Sequence, residues 1–183
     1  VEEIESKKPR MNIRGLILSG GPSSVYRPDA PSCDTRILKV NLPILGICYG
    51  HQLIAQKSLG QVKPGEKSEY GIAYVTVDSP VGVLKGLNKT EKVWMSHGDT
   101  VYDLTEEYEI LAHSESCPVA AFRHRLRPIH GIQWHPEVVH TDKGTLILKN
   151  FIFDVCKCAP NWIVEDYVQK TMKEVKDTVG QAK

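Results

Sequence analysis

Residues 43–60 read PILGICYGHQLIAQKSLG, and the pattern of this stretch is the clearest indication of the fold. Its first five residues form a short apolar run, which indicates a buried strand. Apolar residues then recur at helical spacing over residues 49–59, and the pattern ends at Gly60. A strand is therefore expected to turn directly into a helix, with Cys48 at the junction.

Another predicted strand followed by a predicted helix precedes this stretch. Residues 14–18 (RGLIL) form another apolar run, which indicates a buried strand and leads into the turn sequence SGGP at residues 19–22. Residues 33–40 can form a helix that stops before Pro43. The order strand, helix, strand, helix predicts a parallel sheet that is covered on both faces.

The middle of the chain has a different pattern. Short runs typical of strands are separated by turns, and they lie at residues 70–77, 92–96, 108–113, 119–122 and 129–134. They predict a mixed or antiparallel extension of the sheet. Residues 143–155 return to helical spacing. The predicted fold class is α/β, with a mostly parallel central sheet flanked by helices.

The two ends of the chain suggest its domain organisation. Residues 1–9 have the charge pattern of the end of a helix, whereas a domain of this kind usually starts with a strand, so we expect an N-terminal strand to be missing. Residues 161–179 predict an amphipathic helix capped by Asn161. The predicted units are a main domain over residues 1–158 and a linker with a helix over residues 159–183.

Composition excludes several classes of protein. A net charge of +1 gives no basic field for nucleic acid, and no apolar run is long enough to span a membrane. The five cysteines are odd in number and scattered, which favours a reduced chain in the cytoplasm over a disulfide framework. Cys156 and Cys158 have no partners at a zinc-site spacing, so no metal site is predicted.

Residues 46–50 (GICYG) have the form glycine, any residue, nucleophile, any residue, glycine. The flanking glycines allow the strand and the helix to approach closely. The positive end of the helix is expected to lower the pKa of the Cys48 thiol, and the backbone N–H of Tyr49 would face the oxygen of a tetrahedral intermediate. The alternative is a buried structural cysteine before a helix.

A catalytic cysteine requires a base, and His135-Pro136-Glu137 follows a predicted strand. Catalytic groups collect at strand ends in open α/β sheets, and a carboxylate beside a histidine fixes its tautomer. His97 would line a pocket or cap a turn. The remaining histidines are interpreted as solvated or core residues; they are His51, His113, His124, His130 and His140.

Three motifs together resemble the class I glutamine amidotransferases, and they occur in that family's order: SGGP at residues 19–22, GICYGHQ at residues 46–52 and HPE at residues 135–137. The resemblance covers most of the chain. It implies an α/β sandwich that hydrolyses glutamine through a glutamyl thioester and needs no cofactor or metal. It also implies that Cys48 is the nucleophile, His135 the base and Glu137 its supporting carboxylate.

The resemblance further implies how substrate and intermediate are held. The backbone N–H groups of Gly21 and Tyr49 match the oxyanion hole. Gln52 matches a residue that contacts the substrate. The loop at residues 96–99 (SHGD) resembles the segment that holds the α-amino and α-carboxylate groups of glutamine, through Asp99 and Ser96.

Within this family, the chain is most similar to the GMP synthase branch. The similarity lies in residues 19–26 (SGGPSSVY), Tyr49, residues 69–71 (EYG), residues 96–99 and the tail at residues 162–167 (WIVEDY). It implies that ammonia passes to an ATP-pyrophosphatase domain, fused or separate, which aminates XMP with ATP and Mg²⁺ in a full-length enzyme that can form a homodimer. His51 departs from this branch, which often has Met there.

Three other functions stay open. The chain can be the glutaminase of another class I amidotransferase, of the anthranilate or carbamoyl-phosphate synthase type, and the tail at residues 162–167 argues against this. It can be a related cysteine hydrolase of γ-glutamyl peptides. It can also be a non-catalytic partner that regulates a synthetase, although Cys48, His135 and Glu137 are all present.

Overall fold

The computed structural model describes residues 1–161 and 164–180. The helices are α1 (Glu2–Met11), α2 (Tyr49–Lys57), α3 (Gly144–Lys149) and α4 (Val164–Val179). The strands are β1 (Leu16–Leu18), β2 (Ile44–Ile47), β3 (Gln61–Val77), β4 (Thr90–Asp103), β5 (Tyr108–His113), β6 (Ala121–His124) and β7 (Ile129–Ile132). None of the helices in these ranges has the length and hydropathy that a membrane span requires.

One mixed sheet joins the described strands in the order β1-β2-β7-β6-β5-β3-β4. Strands β1, β2 and β7 are parallel, and every further pair is antiparallel. The α/β class is therefore confirmed, with an antiparallel extension that is longer than predicted. Strands β3 and β4 continue well beyond the predicted runs because each supplies the other's backbone hydrogen bonds, with an irregularity in the pairing between Pro64 and Glu69.

Strand β2 lies where the sheet is covered on both sides, and all four of its residues are buried. Ile44 belongs to a cluster with Ile54 of α2, whereas Leu45 belongs to a second cluster that includes Phe151. Successive side chains of a strand point to opposite faces, so the two clusters are the two sides of the sheet. The predicted covering of both faces is confirmed here, and it fixes the position of the residue that follows β2.

Two local predictions are wrong in detail, whereas the helix predicted over residues 143–155 is confirmed. The helix predicted over residues 33–40 is a single 3₁₀ segment, Thr35–Lys39, because only a short stretch lies between the Asp34 cap and Pro43. Strand β1 is not buried, since Ile17 is 49% exposed. Helix α3 continues as a π-helix at Asn150–Val155. Asn161 precedes two residues outside the described range, so the predicted start of the last helix lies partly there.

Two buried histidines are expected to make the fold sensitive to acid. Burial lowers the pKa of His51 from 6.5 to about 3 and that of His130 to about 4. Their contribution to the free energy of unfolding is therefore complete above pH 6.5, and it is lost as the pH falls because only the unfolded chain takes up the protons. By about pH 5 the loss is roughly 2 kcal/mol for each ring.

Urea unfolding of the wild type and of His51→Met at about pH 7.5 and pH 5 measures this contribution. The variant should lose less stability than the wild type between the two pH values, since an apolar side chain of similar size replaces the ring beside Phe122. His140→Gln, at an exposed position, is the control and should behave as the wild type. An identical pH dependence in His51→Met and wild type would contradict the assignment.

Candidate active site

The junction between β2 and α2 is a strained elbow. Cys48 has φ 51° and ψ −104°, a backbone conformation that is costly for any residue except glycine. A Cβ at Gly46 would lie 2.5 Å from the carbonyl oxygen of Gly50. A Cβ at Gly50 would overlap the carbonyl of Leu18 in β1. Only glycine fits at both positions, and the tight packing holds the sulfur at the end of the sheet.

His135 is brought to the same end of the sheet by β7. Strands β2 and β7 are parallel neighbours, and the backbone N–H of Cys48 donates to the carbonyl of Ile132 at 2.9 Å. Beyond β7, the N–H of His135 donates to the carbonyl of Trp94 at 3.0 Å, and Thr141 Oγ1 donates to the carbonyl of His135 at 2.6 Å. These bonds anchor the segment after β7 to β4.

The imidazole and the thiol flank one glycine of the SGGP turn. A Cβ at Gly20 would lie 3.0 Å from Cε1 of His135 and 3.7 Å from Cβ of Cys48. At another edge of the imidazole ring, Nδ1 of His135 lies 2.6 Å from Oε1 of Glu137. A carboxylate only accepts, so Nδ1 carries a proton and Nε2 is the nitrogen free to accept one. Cys48, His135 and Glu137 therefore lie side by side, and each is a residue type that nucleophilic catalysis by cysteine uses.

Most of the predicted site residues line one open cavity of about 440 Å³. Its walls include Gly21, Cys48, Gln52, Ser96, Asp99 and His135, together with His97 and residues 22–24. Glu137 and Tyr49 do not line it. Glu137 lies behind the imidazole, and the Tyr49 side chain packs beneath the elbow and donates to the carbonyl of Pro31. The structure therefore brings the predicted residues together around a space large enough for a small metabolite.

The residues expected to hold the substrate lie on β4, not on a loop as predicted. Strand β4 runs through residues 96–99, where the sequence SHGD indicates a turn. The irregularity lies in its partner, β3, between Pro64 and Glu69. Within β4, the carbonyl of Ser96 lies 3.6 Å from the Cys48 sulfur, while the Ser96 side chain is exposed. Asp99 accepts a hydrogen bond from the hydroxyl of Tyr26 at 2.8 Å.

The electrostatics of Cys48 differ from the expectation. Burial raises the pKa of its thiol to about 11, and the negative charge of Glu137 acts in the same direction. The N–H of Tyr49 and the side chain of Gln133 lower it, but they do not outweigh burial. The predicted net lowering of this pKa by the helix is therefore wrong. A raised pKa favours the protonated thiol, so forming the thiolate requires transfer of the proton to a base.

Sequence reasoning missed a set of polar residues behind the cavity. Gln133 is fully buried two residues before His135, in the segment after β7, and no period-two pattern marks it because all four residues of β7 are buried. Glu69 and His97 form a cross-strand pair, with the carboxylate 3.0 Å from Nε2 of His97. Their partnership follows from the register of β3 and β4, which no local pattern reveals.

Among the described residues, the donor atoms of Glu69, His97 and Cys117 lie within 4.8 Å of one another, as metal ligands would. However, Glu69 already accepts hydrogen bonds from His97 and from Ser114. Burial raises the pKa of the Cys117 thiol to about 12, so the sulfur is protonated and is a poor ligand. Hydrogen bonding accounts for the set without a cation.

Comparison with protein families shows to which family the chain belongs. The family described as "Glutamine amidotransferase class-I" matches residues 1–155. The chain belongs to the class I glutamine amidotransferases. The resemblance read from the three motifs is thus confirmed at the level of the family, over most of the chain.

Two relatives of this amidotransferase chain carry the same name. It is 43% identical over 171 residues to the "GMP synthase [glutamine-hydrolyzing]" of Rippkaea orientalis, covering 93% of the chain and 32% of the relative. With the protein of the same name from Carboxydothermus hydrogenoformans it shares 46% identity over 172 residues, covering 94% of the chain and 34% of the relative. The amidotransferase chain thus spans about a third of the length of these relatives.

A solved structure of similar size supports the family and the fold. It is that of a Thermoplasma acidophilum protein described as a GMP synthase subunit, and it superposes on the amidotransferase chain with a TM-score of 0.73 at 30% identity. The match covers 92% of this chain and 79% of that one. The α/β architecture with an antiparallel extension is therefore shared with that structure.

Proposed function

We propose that the chain hydrolyses glutamine to glutamate and ammonia through a thioester on Cys48. The observation that carries the proposal is the elbow cysteine beside the His135–Glu137 pair at the wall of one cavity. Family membership and the names of the relatives support the choice of glutamine. The cavity also presents Asp99, whose carboxylate suits the α-ammonium group of an amino acid.

The first half of the reaction forms the thioester. His135 takes the thiol proton, and the thiolate attacks the side-chain amide carbon of glutamine. The oxygen of the tetrahedral intermediate accepts hydrogen bonds from the N–H groups of Gly21 and Tyr49. As the carbon–nitrogen bond breaks, His135 returns its proton to the departing nitrogen, and ammonia leaves.

The second half restores the enzyme. His135 removes a proton from water, hydroxide attacks the thioester carbon, and the carbon–sulfur bond breaks to give glutamate and the thiol. In both halves the charge on His135 is balanced by Glu137, 2.6 Å from Nδ1. Gln52 and Ser96 complete the binding site for the substrate.

We further propose that the ammonia serves a GMP synthase. An ATP-pyrophosphatase domain, fused or separate, would use ATP and Mg²⁺ to activate XMP and aminate it to GMP in the biosynthesis of purines. The relatives bear the name of that enzyme and are about three times as long as the chain. The unit at residues 159–183 is proposed as the connection to that domain, and the location is proposed to be the cytoplasm.

An assay of the chain with glutamine tests the glutaminase activity. We expect equal amounts of glutamate and ammonia, and no hydrolysis of γ-glutamyl peptides. We also expect an electrophilic glutamine analogue to label Cys48. Preferential hydrolysis of the peptides would instead identify a γ-glutamyl hydrolase, and absence of both turnover and labelling would favour a regulatory partner.

Replacing Glu137 by glutamine tests the role of the carboxylate in the same assay. The amide keeps the shape but cannot balance the imidazolium, so kcat should fall by about 100-fold with a much smaller change in KM. Glu109→Gln, which removes a carboxylate that pairs with Arg123 on β5 and β6, is the matched control and should keep its activity. Equal activities of Glu137→Gln and the control would remove Glu137 from the mechanism.

A further inference from the structure

The fully buried amide of Gln133 lies directly behind the nucleophile. Its Nε2 is 3.7 Å from the Cys48 sulfur, within hydrogen-bonding distance for sulfur. Gln133 is 0% exposed and does not line the cavity, so its side chain faces the nucleophile and not the space for the substrate. Each polar atom of a buried amide needs a hydrogen-bond partner, so the partners of Gln133 fix how its side chain is oriented.

The orientation of this amide is fixed by Gln52. Gln52 Nε2 donates to the side-chain oxygen of Gln133 at 3.1 Å and to the backbone carbonyl of Asp99 at 2.9 Å. The two protons of that nitrogen are thereby both used. Since the oxygen of Gln133 accepts from Gln52, its nitrogen must face the sulfur. The side chain thus presents an N–H to Cys48 and cannot present its oxygen.

The carbonyl of Asp99 is in turn held by the pair of His97 and Glu69. Nδ1 of His97 lies 2.9 Å from that carbonyl, and Nε2 lies 3.0 Å from the carboxylate of Glu69. Both partners offer acceptor oxygens to the ring. Burial raises the pKa of Glu69, but hydrogen bonds from His97 and Ser114 outweigh burial and hold the pKa below its ordinary value. The ring of His97 is thereby held between the Asp99 carbonyl and the Glu69 carboxylate.

We propose that this relay, Glu69–His97–Asp99 carbonyl–Gln52–Gln133, aims an N–H of Gln133 at the Cys48 sulfur and stabilises its thiolate. The inference rests on the proposed role of Cys48 as nucleophile. A hydrogen bond to a sulfur anion is stronger than one to a neutral thiol, so the contact favours the ionised form. Gln133 acts on the sulfur itself, whereas Glu69 and His97 are positioning residues at the far end of the relay.

The test measures alkylation of Cys48 by iodoacetamide between about pH 7 and pH 10, followed on the Cys48 peptide by mass spectrometry. Only the thiolate reacts, and no glutamine is needed. Gln133→Met keeps the volume and removes the N–H, so its rate at about pH 8 should fall by about tenfold, as for a one-unit rise in the pKa of Cys48. Glu69→Gln should lower the rate by about two- to threefold.

Thr100→Val is the matched control. Thr100 is fully buried beside Asp99, and its hydroxyl makes no hydrogen bond among the described residues. Its substitution removes a buried polar group of the same strand without touching the relay, so the alkylation rate should stay at the wild-type value. Thermal unfolding of each variant checks the fold. If Gln133→Met does not fold, Gln133→Asn, whose shorter amide no longer reaches the sulfur, takes its place with the same expected result.

Steady-state hydrolysis of glutamine gives a second readout. Gln133→Met should lower kcat by about tenfold and leave KM within about twofold, because the lost interaction forms with the thiolate and not with the substrate. A wild-type alkylation rate in the folded variant, or an increase in KM alone, would overturn the relay. Because alkylation does not depend on glutamine, the relay and the proposed glutaminase activity can fail separately.

Discussion

Replacement of Cys48 by alanine is expected to abolish glutamine hydrolysis, with a fall in kcat of at least about 10⁴-fold. In the proposed mechanism the sulfur forms the bond to the substrate, and Cys48 lines the same cavity as His135. Release of glutamate, measured with an enzyme-coupled assay, gives the residual rate.

Cys158→Ala is the matched control for this change. Cys158 follows the helical segment after α3 and does not line the cavity, so its loss should leave hydrolysis at the wild-type rate. Circular dichroism should show an unchanged fold in both variants. Hydrolysis by Cys48→Ala above about 1% of the wild-type rate would exclude the thioester mechanism.

Replacement of Gly50 by alanine is expected to destroy the fold of the elbow. The added methyl group would overlap the carbonyl oxygen of Leu18 and lie 2.6 Å from its carbonyl carbon. Both atoms belong to the backbone of β1, so strand and helix must separate to accommodate it. The cost should reach at least about 3 kcal/mol, a large part of the stability of a typical domain.

Gly98→Ala provides the comparison for urea unfolding. A Cβ at Gly98 would lie 3.4 Å from the Ser68 hydroxyl and 3.6 Å from that of Tyr70, both ordinary contacts. Its free energy of unfolding should therefore stay within about 0.5 kcal/mol of the wild type. Equal stabilities of Gly50→Ala and Gly98→Ala would mean that β1 does not pack against α2 as described.

Local patterns predicted the part of the fold that is built from neighbouring residues. The strand before Cys48 and the helix after it follow from the spacing of apolar residues, and both are present as β2 and α2. The same method underestimated β3, where Pro64 and Gly65 interrupt the pattern. Pairing with β4 resumes at Glu69, and pairing between distant segments has no local signal.

The environment of the cysteine was predicted only in part. A helix N-terminus lowers the pKa of a thiol, and this effect can be read from the order of elements. Burial raises it, and burial depends on which segments cover the elbow. In this fold the second effect is larger, and the pKa of Cys48 rises to about 11. The sign of the net shift therefore required the packed structure.

By itself, the sequence determined the family, the elbow and the chemical types of the residues around it, because these depend on short motifs and on the steric demands of Gly46 and Gly50. Only the tertiary structure decided that Gln133 faces the sulfur and that Glu69 pairs with the buried His97. These contacts join residues 28 to 85 positions apart in the chain. They exist only once the strands have paired, since register and burial are properties of the assembled sheet.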